Sequence, residues 1–100
     1  MPRSRRRRTR PTVTDVLDLL GRRWALRIIW ELREDPRNFR ELQSACGGIS
    51  ASVLNTRLGE LREAGIIEEG FTLTKEGHRL AESFDTLEPW AKRWARRAGF

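Results

Sequence analysis

The stretch that decides the fold is GGISASVLNTRLGELREAG, Gly47 to Gly65. Ser50 is a residue type that caps helix N-termini well, and Gly65 is the residue type that most often ends a helix. Between them the apolar positions recur every three or four residues, which predicts one amphipathic helix. Its buried stripe consists of Leu54, Leu58 and Leu61.

The opposite side of this helix carries no charge in its first two turns, although 34% of the chain is charged. Acidic residues in a first helical turn normally stabilise a helix by ~0.3–1 kcal/mol, but none occurs here before Glu60. A helix enters the DNA major groove only when long or acidic side chains do not block its exposed face. We interpret this side as a DNA-binding surface, and an ordinary surface of small residues is the alternative. This outer face comprises Ser52, Asn55, Thr56 and Gly59, with Ser50 at the helix start and Arg57 at the flank.

A shorter helix is predicted just before the glycine pair. Asn38 followed by Glu41 has the capping-box pattern, and the helix from about residue 38 to residue 45 should bury Phe39 and Leu42. Two helices joined by a glycine-bearing turn of about four residues have the helix-turn-helix spacing. Further DNA contacts are predicted for Arg37 and Arg40.

Two more helices are predicted before the helix-turn-helix. The first ends at Gly21 and has its apolar residues on one face. The second, from Arg22 to about Glu34, is apolar nearly all round and should therefore lie centrally in the core, with its two tryptophans as packing residues. The apolar face of the first helix comprises Val13, Val16, Leu17 and Leu20.

After Gly65 the pattern predicts a short two-stranded hairpin, because apolar residues at 66–67 and 71–73 bracket Glu68-Glu69-Gly70. Thr74 then caps a last, long helix with a coiled-coil seam. Pro89 falls opposite that seam, so the helix either continues with a kink, or breaks at Glu88 with Pro89 beginning a new helix. The seam comprises Leu80, Phe84, Leu87, Ala91, Trp94 and Ala98.

Residues 1–11 form an arginine-rich arm that should be disordered in isolation. Six arginines precede Pro11, and the rest of the chain has 14 basic and 14 acidic residues, so the net charge of +6 comes entirely from the arm. A nucleic-acid-binding arm is the favoured interpretation, and a solubilising tail or localisation signal is the alternative. The predicted contacts in the arm are Arg5, Arg6, Arg7, Arg8 and Arg10.

Catalytic groupings, phosphate-binding glycine loops and metal-ligand spacings are absent from the sequence, so neither an enzyme nor a cofactor or metal is expected. The single cysteine, Cys46, excludes an internal disulfide. It is best interpreted as a small buried apolar residue, with a thiol switch as the alternative. No apolar run approaches the ~20 residues of a membrane span, and no signal segment follows the arginines, which favours a cytosolic protein.

These segments resemble the HxlR-type winged helix-turn-helix regulators. The resemblance rests on GRRW at 21–24, FREL at 39–42, ISASVLNTRLGELREAGII at 49–67 and LTKEG at 73–77. It implies a mainly α (α+β) winged helix-turn-helix domain over residues 12–100, with a short hairpin wing and a long C-terminal dimerisation helix. It further implies a homodimeric transcriptional regulator of double-stranded DNA.

A dimer is also indicated by the residues themselves. The apolar faces of the first and last helices together have more surface than a domain of this size can bury within itself. A partner related by two-fold symmetry would cover them. The resemblance places the interface on the first and last helices. The predicted interface residues are Val13, Val16, Leu17, Leu20, Leu80, Phe84, Leu87, Ala91 and Trp94.

Three departures from the family pattern affect the prediction. The wing is short and acidic, no cysteine precedes the first helix, and Asn38 stands where the family tends to have a basic residue. We expect the arm to make the DNA contacts that a longer wing makes in relatives. The functional alternatives to a dimeric regulator at an inverted repeat are a protein-interaction module and a non-specific nucleic-acid-binding protein.

Overall fold

The computed structural model describes residues 13–99, and the arm with its five predicted contact arginines lies outside them. The described part of the chain is mainly helical. None of its helices is both long enough and apolar enough to cross a membrane. The helices are α1 (Val13–Leu20), α2 (Ala25–Leu32), α3 (Phe39–Ala45), α4 (Ala51–Glu63), α5 (Lys75–Glu82) and α6 (Phe84–Ala98).

The core is built around α2, which contributes the fully buried Ile28 and Ile29. The prediction that this helix lies centrally in the core is therefore confirmed. The predicted bounds of this helix, 22–34, were too wide. Trp24 has a left-handed backbone with φ 79°, so the helix cannot begin before Ala25. The helix is also less apolar than predicted, since Arg27 and Glu31 form an ion pair of 2.8 Å along its outer side. The largest fully buried side chains are Ile28, Ile29, Leu42, Leu54, Leu58 and Leu61.

The helix-turn-helix consists of α3 and α4. The capping box at the start of α3 is confirmed, with Glu41 N donating to Asn38 Oδ1 at 2.8 Å and Asn38 N donating to a Glu41 carboxylate oxygen at 2.9 Å. The glycine pair turns the chain with positive φ, and Gln43 Nε2 donates to Ile49 O at 3.2 Å across the turn. These local bonds set α4 at a defined angle to α3.

Both ends of α4 agree with the prediction. Ser50 Oγ accepts a hydrogen bond from Val53 N at 3.2 Å. At the other end Gly65 has φ 79° and donates to Arg62 O at 3.0 Å, while Ile66 N donates to Leu61 O at 2.9 Å. This pair of bonds is the Schellman ending of a helix, which a glycine accommodates without steric cost.

The predicted two-stranded hairpin is not formed, and no strand occurs within residues 13–99. A single bridge joins Ile67 to Leu73, supported by a 2.8 Å hydrogen bond from Glu68 N to Thr72 O. The five residues between are consumed by a turn in which Phe71 N donates to Glu68 O, with Phe71 at φ 60°. Too few residues remain for a ladder. We call residues 68–72 the wing loop.

The predicted last helix is two helices, and the interruption lies at Ser83 rather than at Glu88. Ser83 donates to Leu80 O through both its Oγ, at 2.7 Å, and its backbone N, at 3.1 Å, so the chain switches from four-residue to three-residue bonding there. Thr74 caps α5 as predicted, accepting from Gly77 N at 3.0 Å. Pro89 lies inside a continuous α6, so the helix continues through it as the first of the two predicted alternatives had it, and the break at Glu88 does not occur.

Candidate nucleic-acid interface

The outer face of α4 is exposed to solvent on the side opposite its buried leucines. The side chains of Ser52 and Asn55 make no hydrogen bond to the described part of the chain, so both are open to a ligand. The Thr56 hydroxyl donates to Ser52 O at 3.0 Å. At the N-terminus of α4 the Ser50 hydroxyl accepts a hydrogen bond from Val53 N, one of the N–H groups without a partner inside the helix. The first turn contains no acidic residue. That arrangement suits a phosphate at the helix start.

Arg57, predicted as a DNA contact at the flank of this face, is engaged within the chain. Its Nε donates to Arg23 O at 2.7 Å, and its Nη1 lies 3.4 Å from Glu60. Glu60 also pairs with Arg22 at 3.3 Å. Arg57 therefore ties α4 to the segment between α1 and α2 and supports the backbone next to the left-handed Trp24. Sequence reasoning missed this role because the two bonded residues are 34 positions apart.

The two arginines predicted as contacts on the α3 side differ in their surroundings. Arg37 donates from Nε to Glu31 O at 3.0 Å and lies 3.4 Å from the Glu31 carboxylate, so it anchors the loop between α2 and α3. Arg40 is exposed and has no hydrogen bond or ion pair to residues 13–99. Of this pair, Arg40 is the one free to contact a phosphate.

Cys46 lies at the end of α3 with 2% of its surface exposed, as a small buried apolar residue should. Burial raises the pKa of its thiol, an effect that the Glu31 carboxylate adds to and the Arg27 and Arg37 guanidinium groups oppose. A thiol with a raised pKa is a weak nucleophile at neutral pH, because the thiolate is the reactive form.

The wing loop faces solvent with two carboxylates, Glu68 and Glu69. It is held to the body by Phe71, whose ring lies 6.3 Å from that of Phe39 and 5.3 Å from the Arg62 guanidinium carbon. The Arg62 guanidinium group is therefore turned onto the aromatic residue of this loop. Nothing in the loop favours contact with a phosphate backbone.

The residues predicted for a dimer interface fall into two groups. Leu20 and Leu80 pack partly against the core, and Phe84 is buried in it, 5.5 Å from the Trp30 ring. Phe84 is therefore part of its own chain's core. The large exposed members are Val13, Val16, Leu17, Leu87 and Trp94, and Trp90, which the pattern had not included, joins them.

Two short helices joined by a tight turn, the second with an uncharged hydrogen-bonding outer face, define a helix-turn-helix protein. The sequence profile of the HxlR-like helix-turn-helix family matches residues 19–98. The chain belongs to that family.

Two related proteins come from Bacillus subtilis. The HTH-type transcriptional regulator YodB of Bacillus subtilis is 32% identical over 91 residues, 81% of each protein. The uncharacterized HTH-type transcriptional regulator YvaP of the same organism is 28% identical over 94 residues, 84% of this chain and 87% of YvaP.

Solved structures confirm the similarity of fold. The quinone-bound structure of YodB superposes with a TM-score of 0.75 at 32% identity, covering 85% of this chain and 99% of that one. A possible HxlR family transcriptional factor from Thermoplasma volcanium has a TM-score of 0.73 at 28% identity, covering 81% of this chain and 82% of that one.

Proposed function

We propose that this protein is a transcriptional regulator that binds double-stranded DNA as a homodimer at an inverted repeat. The observation that carries the proposal is the outer face of α4, which is exposed, uncharged and lined by short polar side chains. The names of the related YodB and YvaP support the regulatory part. In such proteins the second helix of the motif lies in the major groove.

The case for a homodimer begins with α1. This helix has eight residues and none of them is buried. Leu19 and Leu20 pack partly against the core, but a helix this short is marginal in water, so a further covering surface on its exposed side would stabilise α1. Leu17 at its centre is 64% exposed. A second copy of the chain provides such a surface with closed symmetry.

The second part of the proposed interface is α6. Only Phe84 is buried in it, while Leu87, Trp90 and Trp94 each expose about half of their surface, 47%, 51% and 46%. We assign the interface to the exposed apolar residues of the two helices and leave Phe84 out. The set comprises Val13, Val16, Leu17, Leu87, Trp90, Ala91 and Trp94, with Leu20 and Leu80 at its edge.

The arm, residues 1–11, is proposed to contact the phosphate backbone or the minor groove beside the major-groove helix. The wing loop carries two carboxylates and suits neither role. Each neutralised phosphate contributes about 0.9 to the slope of log affinity against log salt. Deleting residues 1–10, with six arginines, should reduce that slope by up to about five. An unchanged slope would refute the arm's role.

Selection of bound duplexes from a random pool tests the whole proposal. A dimeric regulator should select an inverted repeat whose half-site centres are ~34–36 Å apart. It should also prefer that repeat to random DNA by at least ~10³ at physiological salt. A ratio near one indicates a packaging protein in which the arm provides the affinity, and absence of duplex binding indicates a protein-interaction module.

A variant at Ser52 separates DNA contact from folding. Ser52 is the second residue of α4, where a carboxylate interacts favourably with the helix dipole. Ser52→Glu should therefore leave thermal stability unchanged or higher while it abolishes binding to the selected duplex. Ser52→Ala is the control, since it removes the hydroxyl without adding charge and should bind within about tenfold of the wild type. Equal binding by the glutamate variant would show that this face does not meet DNA.

A further inference from the structure

The side chains that α4 can offer to base edges are limited in kind. Guanine is most often recognised by an arginine or lysine fork, adenine by an asparagine or glutamine amide, and thymine by apolar contact with its methyl group. Two basic residues occur in α4, Arg57 and Arg62. Whether either is available decides which bases the helix can recognise.

Neither arginine is free to bind guanine. Arg57 is held by a 2.7 Å hydrogen bond to Arg23 O and by Glu60, with 21% of its side chain exposed. If the Arg57 guanidinium group turned to a base, it would lose its contacts with Arg23 O and Glu60, and Arg22 would be the remaining ion-pair partner of Glu60. Arg62 lies over the Phe71 ring, and its Nε is buried. The outer face therefore has no free guanidinium.

Asn55 offers the complementary possibility. It is exposed in the middle of the outer face, and its amide has no partner among residues 13–99. An amide presents one acceptor and two donors, which match the N6 amino group and N7 of adenine. Guanine presents two acceptors at those positions, so one of the two hydrogen bonds would be lost.

Thr56 is adapted to a different feature. Its hydroxyl proton is committed to Ser52 O at 3.0 Å, so the side chain has no hydrogen-bond donor to spare. The side chain can still offer its oxygen as a hydrogen-bond acceptor, and it can offer its methyl group for apolar contact. Methyl-to-methyl contact with thymine is the base contact such a side chain makes best.

We propose that Asn55 and Thr56 select A·T base pairs, with adenine bound by the Asn55 amide and a thymine methyl contacted by Thr56, while Arg57 only positions α4. This inference rests on the proposed DNA binding. It predicts that each half-site holds A·T pairs where α4 enters the groove, and that guanine contacts come from elsewhere in the protein.

The test uses the full-length protein and its selected duplex with single-atom changes in the bases. Deoxyuridine, which lacks the thymine methyl, should weaken binding about fourfold at one position per half-site, as expected for one lost methyl contact. Thr56→Ser, which keeps the hydroxyl, should bind the two duplexes equally. 7-Deazaadenine should weaken wild-type binding about threefold to tenfold at another position and leave Asn55→Ala unaffected.

Arg57→Ala provides the opposing measurement. If Arg57 positions the helix, its loss should weaken binding to all duplexes by a similar factor and leave base preferences unchanged. A guanine in the half-site whose N7 methylation blocks the wild type, but not Arg57→Ala, would overturn the inference, as would insensitivity to both base analogues. Failure to bind any duplex would instead refute the proposed function.

Discussion

Replacing Gly59 with alanine should stabilise the fold and weaken DNA binding at the same time. Gly59 is half-buried on the outer face of α4, with an ordinary helical backbone. A Cβ built on it meets no atom within 4 Å, so nothing within the described chain requires a glycine there. Glycine costs a helix interior about 0.8–1 kcal/mol relative to alanine. If DNA binds this face as proposed, close approach of the DNA to the backbone accounts for the glycine.

The magnitudes follow from these facts. The gain of about 1 kcal/mol corresponds to a rise of roughly 4–8 °C in melting temperature for a domain of this size. A methyl group forced into a packed contact costs about 1–3 kcal/mol, which weakens DNA binding by roughly five- to 150-fold. Thermal melting followed by circular dichroism gives the first quantity, and fluorescence anisotropy with a labelled duplex gives the second.

Gly77→Ala is the matched control, because the same substitution in α5 should have the opposite effect on stability. A Cβ at Gly77 collides with the Ile66 carbonyl group, so this variant should melt at a lower temperature. The reasoning about Gly59 fails if its alanine variant is stabilised but binds DNA as tightly as the wild type. It also fails if that variant melts lower, since an internal contact would then explain the glycine.

Three further predictions concern assembly, the thiol and the cap of α3. Leu17→Glu should convert the proposed dimer to a monomer in light scattering and weaken duplex binding, and a dimeric mass that stays unchanged would exclude α1 from the interface. Cys46 should react slowly with a thiol reagent in the native protein, with its reaction shifted to higher pH than an unfolded control, because its pKa is raised by burial; a fast native reaction would indicate an accessible thiolate. Asn38→Ala should lower stability by about 1 kcal/mol through loss of the capping box, measured by chemical denaturation; unchanged stability would show that the cap contributes nothing.

The features that sequence reasoning predicted well are governed by neighbouring residues. The caps at Asn38, Ser50 and Thr74 and the ending at Gly65 each depend on hydrogen bonds that span at most five residues or on one backbone angle. Residue type alone therefore locates them. The outer face of α4 was likewise readable, because helical periodicity places its residues opposite the buried leucines.

The features that sequence reasoning missed depend on partners distant in sequence, or on a local change from four-residue to three-residue hydrogen bonding. The hydrogen bond from Arg57 to Arg23 O was missed because it joins residues far apart in sequence. Phe84 continued the spacing of the seam, but its ring is taken by Trp30 in the same chain. The interruption of the helix at Ser83 does not change the heptad spacing of the apolar residues. The sequence pattern therefore cannot indicate it.

The lack of any buried residue in α1 has a consequence for how the protein would respond to its own concentration. This helix follows the arginine arm directly in the sequence. If contact with a second subunit keeps α1 helical, dilution would dissociate the subunits and unfold α1, and the arm would no longer be held in a fixed position. Occupancy of DNA would then fall with protein level more steeply than simple mass action on a rigid dimer predicts.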